Sequence, residues 1–303
     1  MLALPARLRA GLFIFAACAG AWLPAAAAPL ASLEGACDNL TGKIKSVPAG
    51  ECKSAGLNIA GTASVQGQPI LWRDYRAARG KTPAKRVLLV GGIHGDELSS
   101  VAVTFEWMRR LADEEQQPFH WRVIPCLNPD GVLASTPSRM NARGVDLNRN
   151  FPTPDWDAKA TRYWRERTKG DVRRYPGPKA GSEPETQWLI GQIKTFRPDA
   201  IVSIHAPYGV LDFDGPRTPP KRLGFLNLNE LGTYPGSLGN YAGEFLGIPI
   251  ITIELPHSYA SPTVAQSGKI WSDLLAWLER SLPQGSPPLF QRLGDPNWLR
   301  SAP

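Results

Sequence analysis

Val87-Leu-Leu-Val-Gly-Gly-Ile-His-Gly-Asp-Glu-Leu98 is an aliphatic run, two glycines, and then a histidine and a glutamate three positions apart. Val87 to Val90 are aliphatic without a break, as a strand covered on both faces requires. From Leu98 onward the apolar residues fall at Val101, Phe105, Met108 and Ala112, the spacing of one helix face. The order is strand, glycine turn, helix. It puts His94 and Glu97 at the carboxyl end of a strand, the edge of an open α/β sheet where sites are built. Imidazole nitrogen and carboxylate oxygen are both zinc ligands, and a catalytic zinc takes three protein ligands and keeps a place for water. Two ligands lie in this stretch, and a third must come from elsewhere.

Downstream the pattern alternates. A strand over Arg122 to Leu127 runs into the turn formers Asn128-Pro-Asp-Gly131. Ser135 to Gly181 is polar with little periodicity. Ser182-Glu-Pro-Glu185 then predicts a helix start: Ser182 as N-cap, Pro184 in the first turn and Glu185 completing a capping box. Trp188, Leu189, Ile193 and Phe196 give that helix its apolar stripe, and Pro198 stops it. Ala200 to His205 is the next strand, and it too ends in a histidine. A Pro- and Gly-containing loop covers Ala206 to Pro235, a helix runs from about Ser237 to Leu246, and the strand Ile250 to Glu254 ends in a carboxylate. A last helix spans Thr263 to Arg280 with Ile270, Leu274, Trp277 and Leu278 inward. Strands alternating with helices define an α/β fold with a mostly parallel sheet covered on both faces.

Upstream, Arg7 and Arg9 precede an apolar segment from Ala10 to Leu23 and a run of alanines, the pattern of a secretory signal peptide over residues 1–28. It is shorter than the roughly 20 residues a spanning helix needs, and no later stretch is apolar enough to cross a membrane. The expectation is an exported, periplasmic protein; a lipoprotein anchored through Cys18 is the minor alternative, with Phe15 a poor match to that motif. Removing the signal takes away Arg7 and Arg9 and no acid, so the formal charge of +7 falls by two to +5. That charge suits acidic ligands, while the absence of a basic cluster argues against nucleic acid. An oxidising compartment favours a disulfide between Cys37 and Cys52, which would tie down a small segment over residues 29–79 ahead of a catalytic domain at 80–281. Cys126 reads as a buried apolar residue. Residues 282–303 read as an irregular tail.

Three predicted strands thus end in His94 (with Glu97 after it), His205 and Glu254, from a chain with four histidines. A polar residue at one strand end is unremarkable because solvent begins there; three together suggest a metal site. In order, His94-Gly-Asp-Glu97, Asn128-Pro-Asp-Gly131, Arg139-Met-Asn-Ala-Arg-Gly-Val-Asp-Leu-Asn-Arg-Asn-Phe151, Ser182-Glu-Pro-Glu-Thr186, Ser203-Ile-His205 and Thr252-Ile-Glu-Leu255 resemble the zinc metallocarboxypeptidase family. Within it they look most like its compact bacterial members, the murein peptide amidases and cell-wall D,L-carboxypeptidases. The resemblance covers about Lys85 to Arg280 and implies a mixed, mostly parallel sheet with the site at the carboxyl ends of its strands.

The resemblance implies one zinc per chain held by His94, Glu97 and His205 with water in the fourth place, and Glu254 as general base and acid. Arg139 would stabilise the oxyanion, with Arg143 its competitor. Asn148 and Arg149 would grip a substrate carboxylate, which Arg can do bidentately. Without the family, Asn148 reads as a turn residue and Arg149 as a partner of Asp146. Tyr234 is the nearest candidate for the family's mobile tyrosine, although its spacing does not match cleanly. Asp96 is placed to orient His94 or to cap the helix. The implied activity is hydrolysis of peptidoglycan stem peptides between γ-D-glutamate and meso-diaminopimelate. The alternatives are a carboxypeptidase for ordinary peptides, a zinc-dependent deacylase of N-acyl amino acids, and a binding protein without catalysis, which the intact His94, Glu97, His205 and Glu254 argue against. Oligomeric state has no signal in the sequence.

Overall fold

The structure, a computed structural model, describes residues 32–78 and 84–282. The expected signal peptide, Cys18 and the tail from residue 283 lie outside the described residues. The chain opens with helices α1 (Leu33–Lys43) and α2 (Ala49–Ser54), joined by a disulfide between Cys37 and Cys52. Strands β1 (Asn58–Ala63) and β2 (Pro69–Tyr75) follow, then β3 (Arg86–Val90), α3 (Leu98–Asp113), β4 (His120–Ile124) and the short α4 (Pro129–Leu133). Next come α5 (Trp156–Glu166), α6 (Pro184–Phe196), β5 (Ala200–His205) and β6 (Val210–Asp214). A small hairpin of β7 (Arg222–Leu223) and β8 (Leu226–Asn227) precedes β9 (Ile250–Glu254) and α7 (Val264–Ser281).

Seven strands form one sheet in the order β1-β2-β4-β3-β5-β9-β6. The four central strands β4, β3, β5 and β9 are parallel, and the edges are antiparallel. The fold is therefore mixed α/β. The unbroken aliphatic run of β3 has a direct cause: Val87 and Leu89 point into a core shared with α3, α7 and α1, while Leu88 and Val90 point into a second core under α6. All four are fully buried. Each is worth about 1.5–3 kcal/mol of apolar burial, so both faces hold the strand in register.

Several local expectations change. Ahead of residue 80, β1 and β2 pair into the main sheet and extend it beyond β4. Helix α6 begins at Pro184 with Glu183 as its cap residue and no side-chain cap; Ser182 instead donates its Oγ to Glu183 Oε1 at 2.6 Å. Ala112 is exposed in the last turn of α3. The polar section before Gly181 contains α5, and the loop after Ala206 contains β6. The segment expected as a helix near Ser237 is a wide π-type turn, Gly239–Phe245. Among the described residues, no helix is long and apolar enough to cross a membrane.

Candidate metal and catalytic site

β3, β5 and β9 lie side by side, so their carboxyl ends converge. In the register, His205 sits opposite Glu254, and β3 ends one strand away. Gly92 has φ +60°, and a side chain at Gly95 would collide with the backbone of Gly131. The glycines let the chain turn sharply between β3 and α3 and press against α4. Glu97 ends up at the mouth of α3 in a non-helical conformation, with its carboxylate turned back towards His94 rather than capping the helix.

The donor atoms meet closely. Glu97 Oε1 lies 2.7 Å from His94 Nδ1, and Glu97 Oε2 lies 3.0 Å from His205 Nδ1. The two Nδ1 atoms are 3.1 Å apart. His94, Glu97 and His205 are each buried, and they form the group of described residues whose ligand atoms lie within 4.8 Å of one another. Two imidazole nitrogens and a carboxylate are the donor types zinc takes. Glu254 stands beside them, buried, with its Oε2 lacking any hydrogen-bond partner among the described residues. A buried acceptor left open next to such a donor set fits a site built around a cation and a water. Burial raises the Glu254 carboxyl above its ordinary value, which suits a group that must hold a proton.

His94 Nε2 faces Asp146 Oδ1 at 3.2 Å, and Arg139 Nε donates to Asp146 Oδ2 at 2.9 Å. Burial pushes Asp146 upward, yet Arg139 and His94 outweigh it and hold the carboxyl far below the usual range. Asp96 does not orient His94; it accepts from Arg173 Nη2 at 2.7 Å. Arg143 is turned away, 3.6 Å from Glu183, whereas Arg139 lines the cleft. Asp146 is thus the positioning residue that sequence reasoning overlooked. Its signal, an acid two residues before Asn148, was visible only as a surface partner for Arg149.

Asn148 and Arg149 enter the same cleft from a short turn that Asp146 caps at Asn148 N. Asn148 Oδ1 accepts from Leu238 N at 2.8 Å, so the NH2 is the group left to donate. Arg149 is buried, its guanidinium carbon 4.3 Å from the centre of the Tyr234 ring, and its Nε has no partner. Phe151 N donates to Gly236 O, and Trp156 Nε1 donates to Arg149 O, so the Tyr234-to-Ser237 loop is stitched onto the arginine. The cleft, about 310 Å³, is lined by His94, Glu97, Arg139, Asn148, Arg149, His205, Tyr234 and Glu254 together. Asp212 and Asp214 of β6 line it too. Neither was expected, although the alternation of Leu211 and Phe213 with the two aspartates has the period of a strand.

This fold and donor set define a metal-dependent hydrolase. Residues 57–214 match the zinc carboxypeptidase family, and the chain belongs to that family, whose members are zinc-dependent. It is 34% identical to murein peptide amidase A of Escherichia coli K12 over 223 residues, 71% of this chain and 87% of the relative. It is 36% identical to murein peptide amidase A of Vibrio campbellii, over 66% of this chain and 80% of that one. The solved murein-tripeptide amidase of Escherichia coli O157 superposes with a TM-score of 0.51 at 31% identity, covering 71% of this chain and 88% of its own. Carboxypeptidase A of Helicoverpa armigera, 17% identical with a TM-score of 0.57 over 79% and 69% of the two chains, shares the fold.

Proposed function

We propose that this protein is an exported, periplasmic zinc amidase that cleaves peptidoglycan stem peptides between γ-D-glutamate and meso-diaminopimelate. The observation that carries this reading is the meeting, in one cleft, of a His-Glu-His donor set, a partnerless buried carboxylate and a buried arginine beside an asparagine. The relatives named for acting on murein peptides supply the substrate class.

In this reading His94, Glu97 and His205 hold the zinc, which supplies Lewis acidity towards a water molecule and the scissile carbonyl. Glu254 Oε2 takes the proton from the attacking water and delivers it to the leaving nitrogen. Arg139, fixed by Asp146, places positive charge where the oxyanion develops. Arg149 and the Asn148 NH2 hold the free carboxylate of the leaving residue, which sets cleavage one residue from that end and makes the enzyme an exopeptidase. Asp146 keeps the His94 ring oriented.

Mass spectrometry of L-Ala-γ-D-Glu-meso-diaminopimelate incubated with the zinc-loaded protein tests the assignment. Released diaminopimelate and the dipeptide L-Ala-γ-D-Glu are expected. Release of the last residue from a blocked ordinary peptide, with the tripeptide untouched, would replace this reading with a general carboxypeptidase.

A further inference from the structure

Residues 159–179 hold eight lysines and arginines against two acids, Glu166 and Asp171. Spaced along the chain they form no run, but α5 and the turn Val172–Arg174 gather them beside the cleft. Lys159, Arg162 and Arg165 recur every three residues and so share one face of α5. The other face packs inward, with Trp156 and Ala160 buried. Lys159, Arg162, Arg165, Arg167, Lys169 and Arg173 are all exposed.

Only part of this charge is used inside the fold. Lys159 pairs with Asp155 at 2.9 Å, Arg173 with Asp96 at 2.7 Å and Arg174, more loosely, with Asp171 at 3.5 Å. Arg162, Arg165, Arg167 and Lys169 make no ion pair among the described residues. The helix dipole favours cations near the carboxyl end of α5, such as Arg165 and Arg167; it gives nothing to Lys159 and Arg162, which lie in the first two turns. Like charges gathered on one face repel one another unless an outside partner neutralises them.

This face is joined to the cleft. Tyr163 of α5 meets Tyr234 edge-on, ring centres 5.7 Å apart, and Tyr234 lies under the Arg149 guanidinium. Trp164 packs on Tyr175 and donates its Nε1 to Asp171 O at 2.8 Å, which ties α5 to the Val172–Arg174 turn. Arg174 lines the cleft together with Arg149. Positive charge thus runs from the outer face of α5 through Arg174 to the carboxylate clamp. A helix that lies in a bilayer surface presents Trp, Phe or Leu beside its cations. Here the aromatic side chains of α5 turn towards the protein, and Val172 is the single large apolar residue exposed on this side among the described residues. The surface suits a hydrated polyanion.

We infer that the cationic face of α5, with Arg173 and Arg174, is a docking track for polymeric peptidoglycan. The track takes the free carboxylates of stem peptides that neighbour the one in the cleft. The inference rests on reading the cleft as that of a murein-peptide amidase. A γ-linked D-glutamate keeps its α-carboxylate free, so a strand bearing many stem peptides is a polyanion. Arg149 grips one carboxylate of the peptide being cut, and the track holds the rest of the strand.

Sedimentation with washed, insoluble peptidoglycan sacculi tests this, using the zinc-loaded Glu254→Gln protein so that the polymer stays uncut. Binding is expected, and it should weaken steeply from about 0.1 to about 1 M salt, as the Debye length falls from about 10 to about 3 Å. Adding Arg162→Gln, Arg165→Gln and Arg167→Gln should weaken it by about 3–100-fold, the worth of three exposed charge contacts. In the otherwise wild-type enzyme these three substitutions should leave the melting temperature and kcat on the free tripeptide unchanged. Sacculi bound equally well by the triple variant, or with no response to salt, overturn the inference. Binding to phosphatidylglycerol vesicles in preference to sacculi overturns it too and assigns the face to a lipid surface. If the tripeptide is not cleaved while sacculus binding still depends on the three arginines, the track stands and the amidase assignment falls; cleavage of the tripeptide without sacculus binding gives the reverse.

Discussion

His94 is held from behind by Asp146, whose Oδ1 lies 3.2 Å from the ring Nε2 and leaves Nδ1 facing Glu97 and His205. Asp146→Asn keeps the shape and removes the charge. Zinc affinity should drop by about 10–100-fold, as for other lost partners of metal-ligating histidines. Competition with a chromophoric chelator measures it, and unchanged affinity would remove Asp146 from the positioning role.

Glu254→Gln is expected to retain about one zinc per chain and to lose turnover by on the order of 10²–10⁴-fold, the usual worth of a positioned proton carrier. Metal analysis and single-turnover kinetics on one preparation check both halves. Near-normal turnover with bound zinc would transfer the proton work to another group.

Arg149→Lys replaces a planar fork with a point charge. The expected loss is about 10–100-fold in kcat/KM for substrates ending in a free carboxylate, corresponding to ~1.5–3 kcal/mol for a hydrogen bond to a charged group. The corresponding C-terminal amide should be a poor substrate for both proteins. A loss of equal size on both compounds would mean that Arg149 supports the loop rather than the carboxylate.

Burial, followed by Asp212, Glu244 and Glu230, pushes the Asp214 carboxyl up to about 7. An unfolded carboxyl titrates near 3.9, so the proton is held more tightly in the folded chain. The stability from that proton is full below about pH 4 and is lost as pH rises through about 7. Asp214→Asn escapes the loss: its melting temperature should exceed that of the wild type at pH 8, with the gap closing towards pH 4. A gap independent of pH would contradict the assignment.

The Cys37–Cys52 bridge closes a loop across 15 positions. Chain-entropy reasoning gives such a loop about 3 kcal/mol. The double replacement Cys37→Ala, Cys52→Ala should lower the melting temperature by roughly 5–10 °C, read by calorimetry. A shift under about 1 °C would show that α1 and α2 are held by packing alone.

The sequence alone determined the parts of this protein whose chemistry is local. The unbroken aliphatic run Val87 to Val90 marked β3, because a strand covered on both faces has no polar side to show. The strand ends at His205 and Glu254, with His94 in the turn just past β3, marked the site, because parallel strands bring their carboxyl ends together. The tertiary structure decided what depends on neighbours. Asp96 lies two residues from His94 in the chain and Asp146 lies 52 residues away, and only the folded position of the Asp146 turn beside His94 shows that the distant acid is the one that meets the ring. The loop after Ala206 hid β6, since five residues bounded by glycines and a proline give little periodicity. Pairing with β9 places its two aspartates in the cleft, and that placement comes from backbone hydrogen bonds between segments some forty residues apart, which no local spacing encodes.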